Sequence, residues 1–141
     1  SRFSLNLMDQ HFERRQEAIS TSTDDIIEMQ DILRILKVHT IVIRILAAVA
    51  KDPVSADRMS SYLVDFLRFF CLKNPKNQVA LHAPDSLEVF VGQLLENVGA
   101  ERLLLAVFEG NYELCARNNQ QVIQDLVLVL CNGNAEQPAI E

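Results

Sequence analysis

No stretch of this chain is both long and apolar enough to cross a bilayer. Spanning takes about 20 consecutive apolar residues, and the best run, Ile41 to Ala50, holds Arg44 inside it. The first turns of the sequence carry no charged-then-apolar leader with a small-residue cleavage site, so nothing there marks secretion. Glycine and proline are scarce, four of each in 141 residues, and for glycine that is about half of ordinary usage. A chain that avoids both avoids loops. Metal-ligand spacing is missing too. His11, His39 and His82 are dispersed, and no Cys-x-x-Cys or His-x-x-x-His pair exists to hold a tetrahedral ion. Gly92, Gly99 and Gly110 stand alone, so no glycine-rich loop is available to cradle a phosphate.

Positive charge is also in deficit: 13 Lys and Arg against 19 Asp and Glu leave a net charge of -6. A surface that tracks phosphates needs the opposite sign, concentrated. The one adjacent basic pair, Arg14-Arg15, is flanked by Glu13 and Glu17 and reads as a solvated helix face. Nucleic acid is therefore not an expected partner. Three cysteines, Cys71, Cys115 and Cys131, make an odd number at wide spacing. They read as reduced thiols of a cytosolic protein, with Cys71 and Cys131 on apolar helical faces. Cys115, His82 and Asp125 can be drawn as a nucleophilic set, but those residue types co-occur in nearly any chain of this length. No catalytic residue, cofactor or metal site is expected. Asp24, Asp25, Glu28 and Asp31 cluster near a helix start, where carboxylates favour the dipole without any calcium ion; the glycine and ligand spacing of an EF-hand are absent.

What is present is helical periodicity. Ile26, Met29, Ile32, Leu33 and Leu36 recur at three- and four-residue steps behind capping residues Thr23, Asp24 and Asp25. Val38, Ile41, Val42, Ile45, Leu46 and Val49 form the next stripe, with Thr40 at the join either capping a second helix or continuing one long one. Pro53 ends it. Ser55 opens an amphipathic helix whose Met59, Tyr62, Leu63, Phe66, Leu67 and Phe70 are expected inward, and Ser60, Ser61, Asp65 and Arg68 outward. Asn74-Pro75 reads as an N-cap with proline in the first turn of a short helix reaching about Ala83, and Pro84-Asp85-Ser86 repeats that punctuation. The stripe Leu87, Phe90, Val91, Leu94, Leu95 and Val98 follows, then Gly99, then Leu103, Leu104, Val107 and Phe108 before Gly110-Asn111. Val122 to Cys131 is apolar enough to pass for a strand, but its spacing and the lack of a pairing partner favour helix.

The domain reading is an N-terminal helix and flexible linker over 1–23, one helical domain over 24–134 and a frayed tail over 135–141. Beginning at Ser1 and ending at Glu141, the chain reads as a piece of a longer protein. The fold expected is all-α, an armadillo- or HEAT-like helical repeat stacking about seven helices into a superhelix. A shift of 44 residues lays Phe70-Cys71-Leu72-Lys73-Asn74 over Leu114-Cys115-Ala116-Arg117-Asn118, a period suited to such repeats.

Three stretches carry a resemblance. They are Val38-His39-Thr40-Ile41-Val42-Ile43; Phe66 to Cys71 leading into Asn74-Pro75-Lys76-Asn77-Gln78-Val79-Ala80-Leu81-His82; and Gly110-Asn111-Tyr112-Glu113-Leu114-Cys115. In order and separation they resemble the RIH domain shared by ryanodine and inositol trisphosphate receptors, with the inositol trisphosphate receptor pattern the nearer. The matching positions are His39, Thr40, Phe70, Cys71, Asn74, Asn77, Gln78, Leu81, His82, Asn111, Tyr112, Leu114 and Cys115, and the coverage runs from about Asp31 to Asn132. Two departures stand out: Lys37-Val38 where the family has Gly-Ala, and Gly110 where it has a second asparagine.

The resemblance implies a cytosolic regulatory module of a ligand-gated calcium-release channel. It would sit on the cytosolic side of the endoplasmic reticulum membrane and couple ligand sensing to a pore elsewhere in the parent. Its partners would be other domains or subunits of that parent. With basic residues scattered, the segment itself is not expected to bind inositol trisphosphate. The alternative is an armadillo-type interaction scaffold unrelated to channels. Independently of the resemblance, Asn74, Asn77 and Gln78 carry donors and acceptors suited to the open backbone groups at neighbouring helix ends.

Overall fold

The computed structural model describes residues 22–52 and 56–117, together with 10, 120, 124, 127, 128 and 131. Among these residues the chain is all-α. Helix α1 covers 22–35, so Ser22 and Thr23, read from sequence as linker, are already helical. It is followed by α2 Val38–Val49, α3 Ala56–Cys71, α4 Pro75–Leu81, α5 Pro84–Gly92, α6 Ala100–Phe108 and α7 Tyr112–Ala116. Gln120, Gln124, Val127, Leu128 and Cys131 are helical as well, in line with the helix predicted over Val122 to Cys131. Residues 135–141 lie outside the described set.

The helices pack as triplets. Third helix meets third helix (α3 on α6) and second meets second (α2 on α5), while α4 sits between α3 and α6. The first helices, α1 and α4, are joined by side-chain hydrogen bonds. Each triplet thus lays its members on their counterparts in the next, the arrangement of a helical repeat that buries its apolar faces only by stacking. One continuous core results, with Leu67, Phe70, Leu81, Phe90, Leu103 and Val107 among its fully covered members.

The joints follow from local backbone chemistry. Lys37, Lys73 and Gly110 all have positive φ, at 56°, 54° and 69°, and each ends one helix and starts the approach to the next. The break between α1 and α2 therefore falls at Leu36-Lys37. Thr40 does not cap the second helix; its hydroxyl, inside the first turn of α2, donates to the Lys37 carbonyl at 2.7 Å. After Lys73 and Gly110 comes an asparagine in each case. Asn74 Oδ1 accepts from the Asn77 amide, and Asn111 Oδ1 from the Leu114 amide, both at 3.2 Å. Pro75 and Pro84 occupy the first turns of α4 and α5, where a missing N–H costs nothing. Helix α4 ends at Leu81, short of Ala83, and α5 gives way to turns after Gly92.

The buried faces differ from those the apolar periodicity predicts. In α1, Ile26, Met29 and Ile32 are exposed, as is Leu36 just past its end, while Gln30 is fully buried and Leu33 and Arg34 half-buried. In α2, Leu46 is buried but Ile41 and Ile45 are exposed. In α3, Met59 and Tyr62 face out, and Ser60, Val64, Leu67 and Phe70 face in. The cause is common to all three. These helices carry apolar residues around much of their circumference, so periodicity alone leaves the choice of face open, and polar contacts to α3 and α4 decide it for α1.

The 44-residue repeat is not the structural one. Cys71 closes α3, whereas Cys115 lies within α7. The shift that superposes equivalent joints, Lys73 on Gly110 and Asn74 on Asn111, is 37 residues. Cys131, expected in the core, is exposed, as is Cys115; Cys71 is buried, and all three are free thiols.

Candidate functional site

The densest polar arrangement in the described residues is a buried amide network built on the two equivalent joints. A helix leaves its last four carbonyls without intrahelical partners, and in this fold the ends of α3 and α6 point at neighbouring helices rather than at water. Each is met by a glutamine from the flanking first helix. Gln30 of α1 donates through Nε2 to the carbonyls of Phe69 at 2.7 Å and Leu72 at 3.1 Å, at the end of α3. Its Oε1 accepts from Asn74 Nδ2 at 3.2 Å. One triplet later the geometry recurs. Gln78 of α4 donates to the carbonyls of Ala106 and Glu109, both at 2.9 Å, and its Oε1 accepts from Asn111 Nδ2 at 3.0 Å.

Each unit is therefore a latch: one glutamine bridges two open carbonyls at the end of a third helix and the capping asparagine that starts the next triplet. Asn77 adds to the first latch. Its Nδ2 donates to the Gln30 carbonyl at 2.9 Å and the Phe70 carbonyl at 2.7 Å, and its Oδ1 accepts from Arg34 Nη1 at 2.6 Å. The same guanidinium nitrogen donates to Asp31 Oδ1 at 2.6 Å, and Asp31 also accepts from Asn74 Nδ2 at 3.2 Å. The hydrogen bond from Asn74, helped by Arg34, holds the Asp31 carboxyl below its usual pKa of 3.8. Asn77, Gln78 and Gln30 are essentially without solvent exposure, so their amides have exchanged water for protein partners in full. The roles read from sequence for Asn74, Asn77 and Gln78, partners for open helix ends, are those their hydrogen bonds describe.

The remaining motif residues arrange around these joints. His39 is buried and stacks on Phe70 with ring centroids 4.8 Å apart. Its Nδ1 has no hydrogen-bond partner among the described residues, and burial, followed by the charges of Arg34 and Lys37, holds its pKa below 6.5. His82 meets Phe108 edge-on at 5.6 Å. Cys71 lies 3.6 Å from the Arg68 carbonyl and Cys115 3.6 Å from the Phe108 carbonyl. Burial pushes the Cys71 thiol up to about 12. Leu81 and Leu114 are core residues, while Tyr112 is 87% exposed.

The network brings together Asn74, Asn77, Gln78 and Asn111; it does not unite His82 with Cys115 as a hydrogen-bonded pair, and Asp125 lies outside the described residues. Among the described residues no three His, Cys, Asp or Glu side chains gather as a metal site, and no helix is long and apolar enough to cross a membrane. Sequence reasoning missed Gln30 and Arg34. No local signal marks them: Gln30 and Arg34 stand among other polar residues of the helix, Glu28 and Asp31 close to Gln30, and nothing in that pattern singles them out for burial.

No solved structure matches this chain. The RIH domain, a module of ryanodine and inositol trisphosphate receptor channels, matches residues 3–138, a span wider than the motif stretches and inclusive of most of the N-terminal segment. With nearly its whole length covered, and with Asn74, Asn77, Gln78 and Asn111 of the latches falling on the stretches that carry the likeness, the chain belongs to the RIH domain family.

Proposed function

We propose that this chain is a cytosolic module of an intracellular ligand-gated calcium-release channel of the inositol trisphosphate receptor kind. It stands on the cytosolic side of the endoplasmic reticulum membrane and passes conformational change from a ligand-sensing end to a pore elsewhere in the parent. The observation that carries this reading is the pair of latches in series. Gln30 ties α1 to the α3–α4 joint, and Gln78, on the helix that leaves that joint, ties α4 to the α6–α7 joint. Layers joined by saturated buried hydrogen bonds move together, because sliding one past the next strands polar groups away from water.

The work proposed is mechanical and not catalytic. The partners are neighbouring domains or subunits of the parent. Inositol trisphosphate binds outside this segment, since its three phosphates need several converging cations; Arg34 and Arg117 are already engaged by Asp31 and Glu113, and Arg68 and Arg102, which share a groove, share it with Glu109. The test is made in the full-length channel with Gln78→Met, measuring inositol trisphosphate binding and evoked calcium release side by side. Release that weakens while ligand affinity holds is the expected result. Unaltered release from a channel shown to carry the substitution refutes the reading, and so does micromolar binding of the messenger by this segment in calorimetry.

A further inference from the structure

Where the ends of α3 and α6 lie side by side there is an open groove of about 450 Å³, within the size range of clefts that take ligands. Leu72, Leu105, Ala106 and Phe108 supply its apolar lining, and Arg68 and Arg102 stand in it with Glu109. Neither arginine makes an ion pair among the described residues. Their placement differs in kind. Arg68 is half-buried in the last turn of α3, where a cation suits the helix dipole. Arg102 is in the first turn of α6, the end at which a cation is disfavoured. Glu101 beside it supplies the acidic charge that this end prefers, and Arg102 is left as an exposed cation with no ion-pair partner among the described residues. Leu105, in the same groove, adds apolar surface that is 70% exposed.

We propose that this groove docks an acidic segment of a partner polypeptide, one that sets apolar side chains between two carboxylates. The carboxylates meet the guanidinium groups of Arg68 and Arg102, a geometry suited to paired N–H···O bonds, and the apolar side chains cover Leu72, Leu105 and Phe108. A protein segment is favoured over an anionic membrane because the chain as a whole carries a net charge of -6, which a charged bilayer would repel while a short peptide meets only the local field. The proposal stands apart from the channel reading: Leu72, Ala106 and Glu109 lend backbone carbonyls to the latches, but the side chains that would bind here, Arg68, Arg102 and Leu105, take part in neither latch.

The probes are fluorescein-labelled octapeptides with paired leucines, isoleucines or phenylalanines between two glutamates, each with a glutamine-for-glutamate counterpart. Fluorescence anisotropy with the 141-residue chain is expected to show saturable binding of a glutamate peptide, weakened by salt and lost in its glutamine form. Arg68→Gln and Arg102→Gln should each weaken it about tenfold, the value of one charged hydrogen bond, and Leu105→Ser should weaken it as well. Both arginines lie outside the core, so matching thermal melts confirm that the variants are folded. The idea is overturned by saturable binding that ignores both arginine substitutions, by glutamine peptides that bind equally, by failure of every peptide to saturate, or by phosphatidylserine vesicles that capture the chain through these two arginines in place of any peptide.

Discussion

Replacing Gln78 with methionine keeps the length of the side chain and removes its three hydrogen bonds, two donated to the Ala106 and Glu109 carbonyls and one accepted from Asn111. Shape is nearly conserved, so little of the loss comes from packing. What matters is the groups left behind. The bond to the Ala106 carbonyl is wholly buried, and an orphaned acceptor there costs about 1–3 kcal/mol. Glu109 and Asn111 stand nearer solvent, so water can take over part of their bonding, at about 0.5–1 kcal/mol each. The expected total is about 2–5 kcal/mol, which for a chain of this size lowers Tm by roughly 6–20 °C. Circular dichroism melts and urea titrations of Gln78→Met beside Val79→Gln, a change at an exposed neighbour, separate the latch from a general effect on α4. A loss below about 1 kcal/mol, or one no larger than at Val79, refutes the claim that the amide holds the α6 end in place. A double-mutant cycle with Asn111→Ala should return a coupling of at least about 0.5 kcal/mol.

Other perturbations probe other parts of the structure. Asn77→Ala strands two carbonyls and the Arg34 donor and should cost about 2–4 kcal/mol in the same melts. Lys37→Gly relieves a left-handed lysine at φ 56° and should raise stability by about 0.5–1 kcal/mol; a loss would mean that the lysine side chain contributes more than its backbone strain removes. His39 has a folded pKa below 6.5, so the unfolded chain takes up its proton first as the pH falls. Stability should be fully present above 6.5 and decline toward the lower folded value, and His39→Phe should flatten that slope in urea titrations. Asp31, held below 3.8, contributes stability that is lost only as the pH falls past that value. In alkylation at pH 8 followed by mass spectrometry, exposed Cys115 and Cys131 should react promptly and Cys71, buried with its thiol pushed up to about 12, should not.

The punctuation of this chain is local, and its sequence determined it. Asn before Pro75, the proline at 84 and the Gly110-Asn111 pair each specify a helix start through forces that reach three or four residues. The Asn-x-x-Asn-Gln segment was legible for the same reason: amides in that number, beside a helix start, have little to do except meet backbone. The departure at Lys37 also acquires a meaning, because the glycine expected there would suit the left-handed backbone that Lys37 adopts under strain. Even the helical state of Gln124, Val127, Leu128 and Cys131 was available from spacing alone, without any partner for a strand.

Tertiary structure decided the faces and the period. Helices α1, α2 and α3 offer apolar residues on more than one side, so burial had to be chosen by neighbours. For α1 the choice fell to Gln30 and Arg34, which reach the end of α3 and the start of α4 from more than 40 residues away. A hydrogen bond between a side chain and a carbonyl so distant leaves no periodic trace in the sequence. The repeat was hidden for a related reason. Its two latches align by 37 residues at the joints but place Gln30 and Gln78 48 residues apart, because α2 and α3 are longer than α5 and α6. A single sequence shift cannot register both, and only the packed triplets bring the equivalent atoms together.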